Sequence, residues 1–389
     1  MFNLLRCYST AARATCSKDL YITAKYRELH KHYDAPKYPL VLCHGFSGFD
    51  KFTLLAKPQL AVAQAVDTAK ESLDSGLKEE ENVNENAKKR QVSVSPSPSP
   101  SSLVELNYWN GIKEALEKLG STVFIAKVPA FGNIETRATS LDKFITKQCK
   151  VLRKHESKQT IYQDEKQEHT AESYKTFKQK SEPIKINLIS HSMGGLDSRY
   201  LISKIHKSNK IYKVASLTTI STPHHGSEVA DFIVEQVEKH PSLKLVCPKS
   251  IYELTTTQMK EFNKAVPNDP SVEYFSFGAK FNPKWFNLFN LTWHIMRHQI
   301  LKNAAINKGI IPEVDDKNKL TDNDGLVSVE SSKWGNYAGT LDNVDHLDLI
   351  NWTNRARLGL DKIMWAKQPP FNPIALYLDV ADKLAHRGL

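Results

Sequence analysis

The sequence predicts an α/β fold, a mostly parallel sheet flanked by helices, and three observations carry the prediction. Short apolar, β-branched segments at 40–43, 122–126, 184–190, 214–220 and 272–277 alternate with helix-like ones, the order that builds parallel strands joined by crossover helices. One segment runs through Ile-Asn-Leu-Ile-Ser-His-Ser-Met-Gly-Gly-Leu-Asp, residues 186–197, where a strand passes into a helix across Ser-x-Ser-x-Gly. Patterned segments extend from residue 38 to the far end, which argues for one elaborated domain, although 389 residues would allow two or three.

The first eighteen residues hold Arg6, Arg13 and Lys18 with Ser9, Thr10, Thr15 and Ser17 and no acidic residue, the composition of a mitochondrial transit peptide. Arg6-Cys7-Tyr8-Ser9 resembles a matrix-processing site with cleavage after Tyr8. Residues 1–30 therefore read as a targeting segment and N-terminal extension, and residues 31–389 as the working domain. Tyr-Pro-Leu-Val-Leu-Cys-His-Gly-Phe-Ser-Gly, residues 38–48, is an apolar strand running into His44-Gly45. Residues 60–102 pass from an Ala/Gln/Lys-rich piece through Lys-Glu-Glu-Glu-Asn to a Ser-Pro run, a composition of disorder and an expected insertion. Residues 151–182, charged and Gln/Lys-rich, read as a second surface insertion.

The strand–helix junction at 189–194 places Ser192 as a nucleophile. A serine on so sharp a turn needs small flanking residues, which Ser190 and Gly194 supply, while Gly195 lets the following helix approach its strand. Such a serine also needs a base, an orienting acid and oxyanion donors. In elbows of this kind the chain order is Ser, then Asp or Glu, then His. His346, in the polar loop Asn-Val-Asp-His-Leu-Asp at 343–348, suits the base better than His294 and His298, in a helix-like aromatic stretch, or His386 at a helix end. Asp324, in Thr-Asp-Asn-Asp-Gly-Leu-Val-Ser-Val at 321–329, is placed as the acid at the edge of a β-like Leu-Val-Ser-Val segment, with Asp322 its competitor. The N–H groups of Phe46 and Met193 are placed as the oxyanion donors.

These residues carry a family resemblance. Tyr38–Gly48, Tyr108-Trp109 with Gly111-Ile112, Ile189–Tyr200 and the Ser-Thr-Pro-His-His-Gly-Ser block within Thr219–Phe232 resemble the α/β-hydrolase lipases. So do Asn323–Val329, Asp345–Asn351 and Asn372–Leu389; the family takes in secreted bacterial triacylglycerol lipases and yeast mitochondrial relatives. The resemblance implies an α/β-hydrolase fold, a serine ester hydrolase acting on acylglycerols, and the same assignment of Ser192, Asp324, His346, Phe46 and Met193. It also implies a lid over 229–262. Two departures stand out: Ser190 replaces the family's elbow glycine, and the bacterial disulfide is not recognisable. A structural calcium is implied only through Asp348, since Asp315 and Asp316 lie nearer the acid than expected for a second ligand. No cofactor is required by this chemistry. A phospholipase or lipid acyltransferase with the same triad, or an interaction protein on a hydrolase scaffold, are the alternatives.

Lys and Arg total 53 against 43 Asp and Glu, a formal net charge of +10. No aromatic-basic nucleic-acid module accompanies that excess, so anionic lipid surfaces, of a membrane or a lipid droplet, are the more economical partner. No segment approaches the ~20 apolar residues that span a bilayer, so contact is expected to be peripheral. Phe281, Trp285, Phe286, Leu288, Phe289, Leu291, Trp293, Ile295 and Met296 form an aromatic-rich stretch that suits an acyl pocket, a bilayer contact or plain core. Cysteines at 7, 16, 43, 149 and 247 show no framework spacing, as in a reduced interior.

Overall fold

The structure, a computed structural model, describes residues 21–46, 51–54, 104–164, 182–206, 211–245, 247–285, 287–308, 319–352 and 371–389. The chain divides into two compact units, one of residues 1–50 with 108–389 and one of residues 51–107. The strands are β1 Leu40–Cys43, β2 Lys51–Leu54, β3 Val104–Asn107, β4 Val123–Ile125, β5 Ile184–His191, β6 Tyr212–Ile220, β7 Glu273–Lys280 and β8 Asn336–Asp342. In the smaller unit β2 pairs antiparallel with β3, Lys51 opposite Asn107. The larger unit holds a six-stranded sheet in the order β4-β1-β5-β6-β7-β8, with every pair parallel.

Parallel strands need crossovers, and helices supply them: α1 Ile112–Lys118, α2 Ile134–Asp164, α3 Gly194–Tyr200, α4 Glu228–Lys239, α5 Lys249–Glu253, α6 Thr256–Ala265, α7 Asn290–Lys308, α8 Val329–Ser332 and α9 Pro373–His386. The central strands are buried on both faces, which is why they read as continuous apolar runs. Alternation still sorts them. Leu40 and Leu42 join α1 and α9 through Ile112, Leu116, Leu376 and Leu384, whereas Val41 and Cys43 join α2 through Ala138, Leu141 and Ile145. On α2 the buried residues recur as Ala138, Leu141, Ile145 and Cys149, one stripe of a 3.6-residue period.

Four expectations need adjustment. Residues 21–30 read as extension, yet Tyr26 is buried in the core and its hydroxyl donates to Asp379 Oδ2 (2.9 Å). Residues 151–164, assigned to the charged insertion, continue α2 as helix. Leu326–Val329 is not a strand: Asn323 makes a single bridge to Ser328, whose hydroxyl caps α8. β8, one of the sheet's two edge strands, is not revealed by the apolar pattern because only Gly339, Thr340 and Leu341 are buried. Residues 1–20, the insertion at 60–102, and 165–181 lie outside the described residues.

Candidate active site

Ser192 stands at the carboxyl end of β5 with φ of +55°, a left-handed conformation that costs a non-glycine residue on the order of 1–3 kcal/mol. The surroundings hold it there. Its N–H donates to Ile220 O (3.0 Å), and Thr222 Oγ1 donates to its carbonyl (2.7 Å). The flanking glycines are required by close approach: a Cβ on Gly194 would lie 2.6 Å from His44 O, and one on Gly195 2.2 Å from Thr222 Oγ1. Ser190 fits without a glycine because its buried hydroxyl bonds Ser198 Oγ at 2.8 Å.

Asp324 and His346 meet across 22 residues, His346 Nδ1 lying 2.6 Å from Asp324 Oδ2. The Asp324 carboxylate is fully buried and has further donors. Leu326 and Val327 N–H groups donate to Oδ1 (3.0 and 2.8 Å), and Ser221 Oγ makes a short bond to Oδ2. The His346 N–H also donates to Asp324 O (3.0 Å), so backbone and side chain together fix the imidazole. Asp322 instead pairs with Lys280 at 2.9 Å and is partly exposed. The His346 ring lies against that of His191, centroids 4.5 Å apart, which sets it beside the residue preceding Ser192.

The loop after β1 closes over the elbow. A Cβ on Gly45 would lie 2.6 Å from Ser192 Cβ and 3.1 Å from its Oγ, so only glycine admits this contact. Met193 is fully buried, and Phe46 packs in the same cluster, with its ring edge-on to Phe131 at 5.3 Å. Two side-chain systems hold this loop that the sequence did not single out. The Tyr108 hydroxyl accepts the Gly45 N–H (2.9 Å) and bonds His191 Nδ1 (2.7 Å). Burial holds the His191 imidazole well below its usual range. Arg137, fully buried, pairs with Asp197 and donates to the carbonyls of His44 (2.9 Å) and Gly45 (3.1 Å). Burial pushes Asp197 up to about 6 against the pull of Arg137.

Asp348, the residue through which calcium is implied, is buried. Its Oδ2 accepts the Asp345 N–H (3.2 Å), while Asp345 Oδ1 accepts from Leu347 and Asp348 N–H. Among the described residues Asp348 belongs to no group of three acidic, His or Cys side chains close enough to share an ion; Asp315 and Asp316 lie outside them. Calcium takes about six or more oxygens.

A profile of the alpha/beta hydrolase fold matches residues 101–240, which include the elbow. Triacylglycerol lipase 2 of Saccharomyces cerevisiae is 36% identical over 361 residues, 92% of this chain and 94% of the yeast protein. The chain belongs to the triacylglycerol lipases of the alpha/beta hydrolase fold. A second member of that lipase family, the triacylglycerol lipase of Pseudomonas fragi, is 24% identical over 312 residues, 73% of this chain and 91% of its own. Of solved structures, EstA from Clostridium botulinum aligns over 94% of this chain and 93% of its own, with 17% identity and a TM-score of 0.49.

Proposed function

We propose that this lipase-family chain releases fatty acids from acylglycerols through a covalent acyl-enzyme on Ser192. Ser192 Oγ attacks the ester carbonyl as His346 takes its proton, and Asp324 holds the imidazole in the required tautomer and stabilises its cation. The N–H groups of Phe46 and Met193 receive the oxyanion. His346 then returns the proton to the departing alcohol. A water, deprotonated by His346, attacks the acyl carbonyl and frees the carboxylic acid. No step requires a metal or cofactor. The observation that carries this reading is the Asp324–His346 bond, with the His346 ring against His191, the residue before a serine held at positive φ.

Residues 229–262 are the candidate lid, since Ala230, Leu254 and Met259 pack in one cluster with Met193 and Leu196. The acid-free, Arg- and Ser/Thr-bearing first eighteen residues support delivery to mitochondria. The +10 charge supports a peripheral lipid-surface association. No helix among the described residues is long and apolar enough to cross a membrane.

Labelling with a fluorophosphonate and mapping the adduct tests the chemistry. Ser192→Ala should abolish both labelling and turnover of triacylglycerol emulsions while the thermal melt is retained; an adduct elsewhere would sink the assignment. Product analysis on defined lipids then separates hydrolysis of triacylglycerol from that of phospholipid or transfer to an acceptor alcohol.

A further inference from the structure

The second half of α9 does not close completely on the sheet. Between it and strands β6, β7 and β8 lies a cavity of about 590 Å³, within the size range of small-molecule sites. Its walls are mainly apolar: Phe275 and Phe277 from β7, Ala338 from β8, and Val380 and Leu384 from α9. None of Ser192, Asp324, His346, Phe46 and Met193 lines it. Arg387, at its rim, pairs with Glu273, the first residue of β7, whereas Ser192 stands at the carboxyl end of β5. In a parallel sheet these are opposite ends, so the rim lies away from the catalytic serine.

Two features of the lining call for an anionic ligand. Thr218, from β6, is 1% exposed, and its Oγ1 has no hydrogen-bond partner among the described residues. A buried hydroxyl left unmet carries a cost that an acceptor entering the cavity removes. The second feature is charge. Lys25 and Lys383 share the single carboxylate of Asp379, at 2.6 and 3.0 Å, so two cations face one anion. Asp382, the other acid of the lining, accepts the Asp34 N–H (2.8 Å) and lies 3.6 Å from His386. Lys383 Nζ lies 5.8 Å from the Phe277 ring centroid, and the Arg387 guanidinium 4.9 Å from that of Phe275, so both cations reach across the apolar wall.

We infer that this cavity binds an alkyl carboxylate, a free fatty acid, at a site separate from the triad. Thr218 stands opposite Phe275 in the β6–β7 register, and Arg387 covers the Phe275 ring, so hydroxyl and guanidinium bracket one stretch of wall. A carboxylate, which only accepts, takes donors from both sides there, with Lys383 as the third. The alkyl chain then lies against Phe277, Ala338, Val380 and Leu384. A neutral lipid leaves the cations unanswered, and an inorganic anion leaves the apolar wall bare. Recognition of such a ligand is independent of what Ser192 hydrolyses, so this site goes beyond the proposed function.

The test is isothermal titration calorimetry of the full chain with decanoate, below its micellar range, and with decanol as the neutral probe. Lys383→Gln combined with Arg387→Gln should weaken decanoate binding by about ten-fold and leave decanol binding unchanged. Asp379 keeps Lys25 and the Tyr26 hydroxyl in that variant, which protects the fold. Thr218→Val, nearly isosteric, should weaken decanoate by about five-fold or more. Ala338→Trp, which fills the cavity, should weaken both ligands. Hydrolysis of a water-soluble short-chain ester should be unchanged in all three variants. Decanoate binding that the Thr218 and Lys383/Arg387 variants leave intact overturns the inference, because it places the ligand elsewhere, the active-site acyl pocket included. Equal wild-type affinity for decanol and decanoate, displacement of decanoate by inorganic phosphate, or no decanoate binding at all overturns it equally.

Discussion

Replacing Asp324 by asparagine changes one atom of the carboxylate, and the structure dictates where the new NH2 must go. Turned toward Oδ1, it would face the N–H groups of Leu326 and Val327 and leave two buried donors without an acceptor, at about 1–3 kcal/mol each. Turned toward Oδ2, it meets Ser221 Oγ, which can rotate to accept, and His346 Nδ1. The second orientation wins. The amide then donates to Nδ1, which moves the imidazole proton to Nε2 and removes the lone pair that would accept the Ser192 proton. A fixed wrong tautomer costs about ten-thousand-fold in kcat, roughly 5.5 kcal/mol at about 1.4 kcal/mol per decade. The assay is steady-state hydrolysis of a soluble ester at neutral pH, with KM expected to hold and fluorophosphonate labelling to slow in parallel. Asp322→Asn is the control: it breaks a partly exposed pair with Lys280 and should leave kcat intact, with less than about 1 kcal/mol lost in stability. A loss below about ten-fold for Asp324→Asn, or an equal loss for Asp322→Asn, would refute the reasoning.

Two further outcomes follow from the supporting contacts. Tyr108→Phe removes the acceptor of the Gly45 N–H, and should reduce kcat by about ten-fold at constant KM while costing about 1–3 kcal/mol of stability in urea titrations; an unaffected kcat would show that the Gly45 loop holds its place without the hydroxyl. Glu228 is the second case. Burial lifts its carboxyl from 4.5 to about 7, and Oε2 is enclosed with no hydrogen-bond partner. The folded state holds this proton more tightly than the unfolded chain, so the associated stability is present below the unfolded value and is lost as pH rises through about 7. Glu228→Gln, which cannot ionise, should therefore gain on wild type by roughly 2–3 kcal/mol between pH ~4.5 and ~8, read from paired urea titrations; a pH-independent difference would contradict the shift.

What the sequence disclosed was local or ordered. The Ser192 elbow is readable because strand, small flanks and helix are contiguous, whereas Asp324 and His346 are placed by chain order together with their polar turn and loop settings. The contacts that hold them were hidden by distance along the chain. Arg137 and Asp197 are 60 residues apart, Tyr108 and His191 83, and Ser221 and Asp324 103, and only the strand order makes them neighbours. Ser221 lay inside the quoted Ser-Thr-Pro block, but its positive φ and its bond to the acid leave no compositional trace. The Leu326–Val329 segment misled because Asp324 accepts from two of its N–H groups, side-chain bonding that replaces a strand ladder. The division of the 281–296 aromatics into buried Phe281, Phe289 and Trp293 and exposed Trp285 was equally unreadable, since the helix begins only at Asn290 and no single period covers both parts.

Tyr26 and Asp379, 353 residues apart, share a hydrogen bond, and Asn372 N–H donates to Tyr26 O at 2.7 Å. Nearby, Ile22 N–H donates to Thr340 O at 3.1 Å, and Thr23 Oγ1 to Asp342 O at 3.1 Å. During synthesis Tyr26 and Asp379 emerge 353 residues apart. Until β8 has been made, β7 offers a bare sheet edge, and until Asp379 has left the ribosome Tyr26 lacks its acceptor. Folding of this unit therefore cannot complete until α9 has been made. The same long loop closure makes spontaneous refolding from denaturant slow and sensitive to concentration.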